Sequence, residues 1–437
     1  MSTRFTALEI GSGDAFLLED EGKTILFDSG GSKNRIKDLL KDKGITRIDL
    51  AICSHNDGDH ANGFIGLLKS YQFIIDEIWL PYWWASILQY ANEHGINWAE
   101  VEMTSHEIND KKDYNSKLLY SDEHEPISDE VFGEVLSNLA ERMNNKDMSL
   151  SSDRLFYDIA YETARNMIDR LAYDTKHNID ILHDPNLADI IACDIAYHFV
   201  QYISNRAHRD EVKDFFYGHI DEFLPPNSFD HLVTAYSGSN IRIMFNNIME
   251  IAVWAYQRGC KIKWFEPTKS FTRIPIPNSN FIALNSTLKR QVKKLKDLSA
   301  FAYALYLTVE NEYSLVFEYC KGDIPIIRFS ADSDCEFPGP QSSYEHEIIV
   351  TAPHHGSEAN ANVYDAIDPK NQDNIIWVRS DALNKTQGRP CIDFKLRKNK
   401  YCLACKNRIR NKKIEVCFEY DILIRQWKSI SGYQCIR

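Results

Sequence analysis

The sequence predicts an α/β layered protein whose strand-rich core is interrupted by a long helical block. Three observations carry that expectation. Short apolar runs bounded by Gly, Asp or Ser fill residues 1–80, residues 81–260 change to apolar spacing of three and four, and the strand pattern returns after Cys260.

In the first part, Phe5 to Ile10, Phe16 to Glu19, Thr24 to Phe27, Leu50 to Cys53 and Ile78 to Leu80 read as strands, with helices over Arg35 to Lys43 and Gly63 to Ser70. In the second, Ser151 to Tyr173, Leu187 to Asn205 and Ile241 to Gln257 read as amphipathic helices. In the third, Lys261 to Trp264, Phe281 to Leu284, Ala302 to Val309, Tyr313 to Tyr319, Ile324 to Phe329, Glu347 to Thr351 and Ile375 to Val378 read as strands. The expected organisation is therefore one α/β domain split in two, with halves at 1–80 and 261–437, a helical insertion at 81–260, and a basic C-terminal tail.

A chain of 437 residues with 44% hydrophobic content can bury a large core without disulfide staples. Its ten cysteines are scattered, which suits reduced thiols in a cytoplasmic protein, and the close pair Cys402 and Cys405 lacks the second pair that a zinc ribbon needs. Apolar runs such as Phe301 to Val309 are about half the length of a bilayer crossing, so no membrane association is expected. The net charge of −13 argues against wholesale coating of nucleic acid. The average conceals a reversal: Lys385 to Lys413 holds eleven basic residues against Asp393 alone, and Lys289, Arg290, Lys293, Lys294 and Lys296 form a second cluster. Such runs read as a solvated face or as a groove for a phosphate-bearing substrate.

The chemistry concentrates in Ser54-His55-Asn56-Asp57-Gly58-Asp59-His60, directly after an apolar strand. Imidazoles and carboxylates gathered in one turn at a strand end suit a metal centre. The plainer alternative is helix capping, with Asp59 as the cap. The run resembles the His-x-His-x-Asp-His signature of the metallo-β-lactamase superfamily, with Asp57 in place of the second histidine. In that form it is similar to the soluble domain of bacterial competence DNA-uptake proteins (ComEC/Rec2-like). Glu9-Ile10-Gly11-Ser12-Gly13-Asp14-Ala15 and Gly22-Lys23-Thr24-Ile25-Leu26-Phe27-Asp28-Ser29-Gly30 resemble the same branch, as do Arg328-Phe329-Ser330-Ala331-Asp332 and Ala352-Pro353-His354-His355-Gly356-Ser357.

The resemblance covers about residues 1–80 and 261–395 and implies an αββα sandwich interrupted by the helical insertion. It also implies two divalent ions, zinc or manganese. His55 and Asp57 would ligate one, Asp59 and His60 the other; Asp332 would bridge and His354 would close the second site. His355 would meet the leaving group, Asp28 would orient a ligand, and Asp334 competes with Asp332. The histidine that the superfamily supplies from the loop after Ile78 to Leu80 has no clear counterpart, with His94 and His106 as candidates. Arg389, in Gly388-Arg389-Pro390, stands where the branch often has histidine and suits an anion.

The reaction expected is hydrolysis by metal-activated hydroxide, with Asp59, His355 and Arg389 as catalytic residues. A phosphodiester in nucleic acid or a nucleotide is the expected bond. The alternatives are a carbonyl-acting hydrolase (lactonase, lactamase or thioesterase) and a non-catalytic metal-binding sensor or docking module. The insertion is expected to set substrate choice or to dock a protein partner. Trp79, Tyr82, Trp83 and Trp84 read as the seam where it packs, or as a platform for stacking bases.

Overall fold

Alternating strands must bury one face, and here they do so against each other. The computed structural model describes residues 2–94, 125–127, 129–145, 239–268, 271–290, 292–294, 314–335, 344–381, 389–404, 415–432 and 434–435. Its first part runs β1 (Thr3–Ala7), β2 (Phe16–Asp20), β3 (Lys23–Phe27), α1 (Arg35–Asp42), β4 (Arg47–Ile52), α2 (Gly58–Lys69), β5 (Ile74–Pro81) and α3 (Trp83–His94). There follow β6 (Glu125–Ile127), α4 (Asp129–Asn145), α5 (Ser239–Gln257), β7 (Lys261–Pro267), β8 (Ile274–Pro275), β9 (Phe281–Ala283), β10 (Ser286–Lys289) and β11 (Val292–Lys294). The last part holds β12 (Phe317–Lys321), β13 (Ile324–Phe329), β14 (Ile348–Thr351), α6 (Asn362–Ile367), β15 (Ile375–Arg379), α7 (Ile392–Leu396), β16 (Lys400–Cys402), β17 (Val416–Asp421) and β18 (Gln426–Ser431).

One sheet has the order β10-β7-β5-β4-β3-β2-β1-β17-β18, the other β16-β15-β14-β13-β12-β9-β8. The inner faces meet in an aromatic core of Phe5, Phe16, Phe27, Trp79, Phe265, Phe281, Phe317 and Phe329. Fully burying each ring is worth roughly 1.5–3 kcal/mol. Helices α1 to α5 cover the outer face of the first sheet, and α6 and α7 that of the second. This is a mixed α/β sandwich of two sheets with helices on their outer faces.

Strand β7, which follows α5, joins the first sheet beside β5 with β10 on its other side, and β17 pairs with β1 with Phe418 opposite Phe5. Parallel pairing of β3, β4 and β5 brings their C-terminal ends to one edge. Parallel pairing of β13, β14 and β15 does the same in the second sheet. Loops leaving parallel strands at that edge carry the side chains described below.

The helix expected over Ile241 to Gln257 is α5. The expected helices at 151–173 and 187–205, the strand at 302–309, His106, Lys296 and Cys405 lie outside the described residues. Trp79 is buried between the sheets, while Tyr82, Trp83 and Trp84 are buried under α4 and α5; they form a packing seam and not an exposed stacking platform. Among the described residues, no helix is long and apolar enough to cross a membrane.

Candidate metal centre

Strand β4 delivers Cys53, Ser54 and His55 to the sheet edge, and the chain turns at once into α2. The helix opens at Gly58, five residues before the expected Gly63, so Asp59 and His60 lie in its first turn. Apolar periodicity does not reveal that turn because its side chains face the centre. Asp57 is the N-cap residue in place of the expected Asp59, and its carboxylate makes no capping hydrogen bond. It lies 3.8 Å from Nε2 of His55. Gly58 is helical and not in the left-handed region.

Four imidazoles converge on the Asp332 carboxylate. Nε2 of His55 and of His354 lie 3.7 and 3.4 Å from Oδ2, and Nε2 of His60 and of His355 lie 3.1 and 3.6 Å from Oδ1. Each ring is held from behind by its other nitrogen. Nδ1 of His55 meets Ser54 Oγ at 2.9 Å, Nδ1 of His60 meets Asp28 at 2.8 Å, Nδ1 of His354 meets Asn360 Oδ1 at 3.0 Å, and Nδ1 of His355 meets Asp14 at 3.0 Å. The Asn360 amide donates to the carbonyls of Asp332 and Ser333, which leaves its oxygen to accept from His354. The Ser54 hydroxyl donates to Asp28, so it accepts from His55. Every Nδ1 therefore carries hydrogen, and every Nε2 points toward Asp332.

That arrangement fits a cation. Nε2 of His55 is buried and has no hydrogen-bond partner, which is costly unless something positive meets it. Nε2 of His60 lies 3.1 Å from Nε2 of His355. Two neutral rings would oppose lone pairs there and two imidazoliums would force two protons into one gap, whereas a single proton or a metal cation fits between them. Burial lowers the proton affinity of both rings, but Asp332 and Asp28 lift His60, and Asp14 and Asp332 lift His355, well above the ordinary imidazole range. Burial holds His55 well below that range. Burial also lowers His354, and Arg389 adds to the effect against Asp332. Burial would raise Asp332 and Asp59, yet the imidazoles hold Asp332 well below the carboxylate range and His355 does the same for Asp59. Asp332 and Asp59 therefore stay ionised beside the imidazoles, whereas burial raises Asp28.

Two groups of side chains have ligand atoms close enough to share an ion: Asp14, His60, Asp332 and His355, and His55, Asp57 and Asp332. Asp332, and not Asp334, stands in both. Asp59 Oδ2 lies 3.2 Å from Nε2 of His355, and the Asp59 side chain is 31% exposed.

The histidine pair is arranged otherwise than expected. His355, and not His354, joins Asp59 and His60, while His354 stands on the His55 side of Asp332. The cause is backbone shape: both residues take left-handed φ, +46° and +54°, within the short turn Pro353–Gly356, and their rings diverge. The His355 ring, for which a leaving-group role is expected, is fully buried, with its nitrogens against Asp14 and Asp59. His354 is 21% exposed. Arg389 is half-buried near His354, with a buried Nε that lacks a hydrogen-bond partner. His94 is the last residue of α3. Asp14 and Asn360 carried no site role in the sequence; the signal for Asp14 was its Gly-Ser-Gly-Asp turn, and Asn360 had none.

Residues 8–93 match the family model of the metallo-beta-lactamase superfamily. That stretch spans β2 to α3 and includes Asp14, Asp28 and the whole His55 to His60 turn. Members of the superfamily are mostly hydrolases and typically bind divalent metals, often zinc. No curated protein matches the chain.

Proposed function

We propose that this chain is a metal-dependent hydrolase that cleaves phosphodiesters in nucleic acid or nucleotides, related to the competence DNA-uptake branch. The observation that carries the hydrolase reading is the convergence of four Nε2 atoms, each backed at Nδ1, on one buried carboxylate. Choice of the phosphodiester rests on Arg389 beside His354, on the basic run Lys385 to Lys413, and on the motif resemblance.

His55, Asp57 and His354 would hold one divalent ion and His60, Asp59 and His355 the other, with Asp332 between them. Carboxylates in the set make manganese suitable alongside zinc. Such ions supply Lewis-acid activation of water and of the scissile phosphorus–oxygen group. The protein's part is orientation and charge. Asp28, Ser54, Asn360 and Asp14 hold the rings, and the buried walls limit water. Asp59, whose side chain is partly open to solvent, is placed to accept a hydrogen bond from the attacking water and orient it. Arg389 pairs with a non-reacting phosphate oxygen, for which a planar guanidinium is suited. The helical insertion over residues 81–260 and the halves at 1–80 and 261–437 remain the domain organisation we propose, with the insertion governing substrate access or docking a protein.

The test is metal content together with hydrolysis of bis(p-nitrophenyl) phosphate, a β-lactam and a lactone by wild type and Asp59→Ala. Diester cleavage alone, lost in the variant, supports the reading. Lactam or lactone turnover with an inert diester replaces it by a carbonyl-acting hydrolase, and full metal occupancy without turnover replaces it by a metal-binding sensor.

A further inference from the structure

Asp14 reaches the centre on a loop fixed from three directions. Gly13 sits at φ +89°, and a Cβ there would lie 1.7 Å from the carbonyl oxygen of Asp59, so only glycine lets this loop pack on the first turn of α2. The Asp14 N–H donates to that same carbonyl at 3.2 Å. From the second sheet, Gly13 N–H donates to Asp381 Oδ1 at 3.2 Å, and Ser380 Oγ donates to Gly13 O at 2.8 Å.

The partner ring is fixed by the same neighbours. Buried Arg379 donates from Nε to the His355 carbonyl at 2.6 Å, and its Nη2 lies 3.6 Å from Asp381 Oδ2. One guanidinium thus holds the main chain of His355 and, through Asp381, the loop that carries Asp14. His354, His355 and Asp381 all have left-handed φ, a cluster of strained residues that persists only where the surroundings hold it.

Charge is unequal on the two sides of Asp332. The Oδ1 side gathers the carboxylates of Asp59, Asp28 and Asp14, whereas the Oδ2 side has Asp57 and the nearby Arg389. We infer that Asp14 is a positioning residue: its carboxylate accepts from His355 Nδ1 and fixes the ring with Nε2 toward Asp332, which makes the Oδ1 side the tighter of two cation positions. The inference rests on the metal-centre reading above. Anions behind ligating imidazoles raise their basicity, and their loss typically costs about 10- to 100-fold in metal affinity.

Two measurements on the full chain test it: calorimetric titration with Mn²⁺ alone, and ring ¹⁵N NMR of His355 in the metal-free protein. Wild type should bind in two unequal steps and show Nδ1–H on His355. Asp14→Asn keeps an accepting oxygen without the charge; it should retain the hydrogen-bonded Nδ1–H signal of His355 and weaken the tighter step by roughly 10-fold. Asp14→Ala should lose that hydrogen-bonded signal and weaken the step toward about 100-fold. Unchanged Mn²⁺ binding in both variants overturns the inference. So does an unchanged His355 Nδ1–H signal in Asp14→Ala. Wild type that takes up no Mn²⁺ overturns the metal-centre reading and the affinity claim, while the ring signals separately decide whether Asp14 positions His355.

Discussion

The same two sheets bury two polar clusters, one at each end of their strands, and the two differ in how completely they are satisfied. At the end of β2, Asp20 accepts from Thr3 Oγ1 at 2.6 Å, from the Tyr319 hydroxyl of β12, and from Lys321 Nζ at 2.6 Å. Donors and acceptor match, so that cluster staples sheet to sheet. At the start of β2, beyond Asp14, the centre gathers four imidazoles whose Nε2 atoms face inward, with His55 Nε2 and Asp14 Oδ2 buried without hydrogen-bond partners. A cluster complete by itself stabilises the fold; one that is incomplete is built to receive something.

That contrast predicts opposite responses. Asp332→Ala, which removes the carboxylate common to both groups, should cut Mn²⁺ or Zn²⁺ affinity by at least about 100-fold, exceeding the loss of an outer partner. Calorimetry reads this directly, and retained two-ion binding would break the contrast. Wild type at a metal concentration about 1,000 times Kd should be stabilised by roughly 4 kcal/mol over the chelated protein, as read from melting with and without EDTA. Tyr319→Phe should do the reverse. It should cost about 1–3 kcal/mol in urea unfolding by leaving Asp20 short of a donor, with metal affinity unchanged.

The Asp20 staple also has a pH signature. Burial would raise this carboxyl, but Lys321, Thr3 and Tyr319 hold it below its ordinary value. A depressed folded-state pKa contributes stability above the unfolded value, near about 3.9, and that stability disappears as pH falls through the folded value. Wild type should therefore exceed Asp20→Asn in stability most clearly above about pH 4, with the gap closing in stronger acid. A gap that widens on acidification would contradict the assignment. The smallest effect is expected at Asn247 of α5, whose amide donates to the Asn56 carbonyl within the metal turn at 3.0 Å. Asn247→Ala should cost about 1 kcal/mol in unfolding, and metal titration would show whether the turn loosens with it.

Much of this was legible in the residues. Short apolar runs bounded by turn residues announced β2, β3, β4 and β13, and the apolar spacing of Arg35 to Lys43 announced α1. The turn from His55 to His60 was legible because its polar side chains stand together in sequence. The start of α2 was not, since Gly58, Asp59 and His60 add no apolar position to the helical period. The cluster Trp79 to Trp84 was readable as aromatic, yet only its packing between the sheets and under the helices decided that it is core.

By itself, the sequence determined which chemistry was present: imidazoles and carboxylates at strand ends, in a strand-rich chain. The tertiary structure alone decided which atoms meet. Asp14 reaches His355 across 341 positions of sequence, and Arg379 stands 24 residues from the carbonyl it holds. His354 and His355 separate to opposite sides of Asp332 through left-handed backbone that the short local sequence does not require. Contacts of that kind depend on sheet pairing and on strain held by distant neighbours, and neither leaves a periodic mark along the chain.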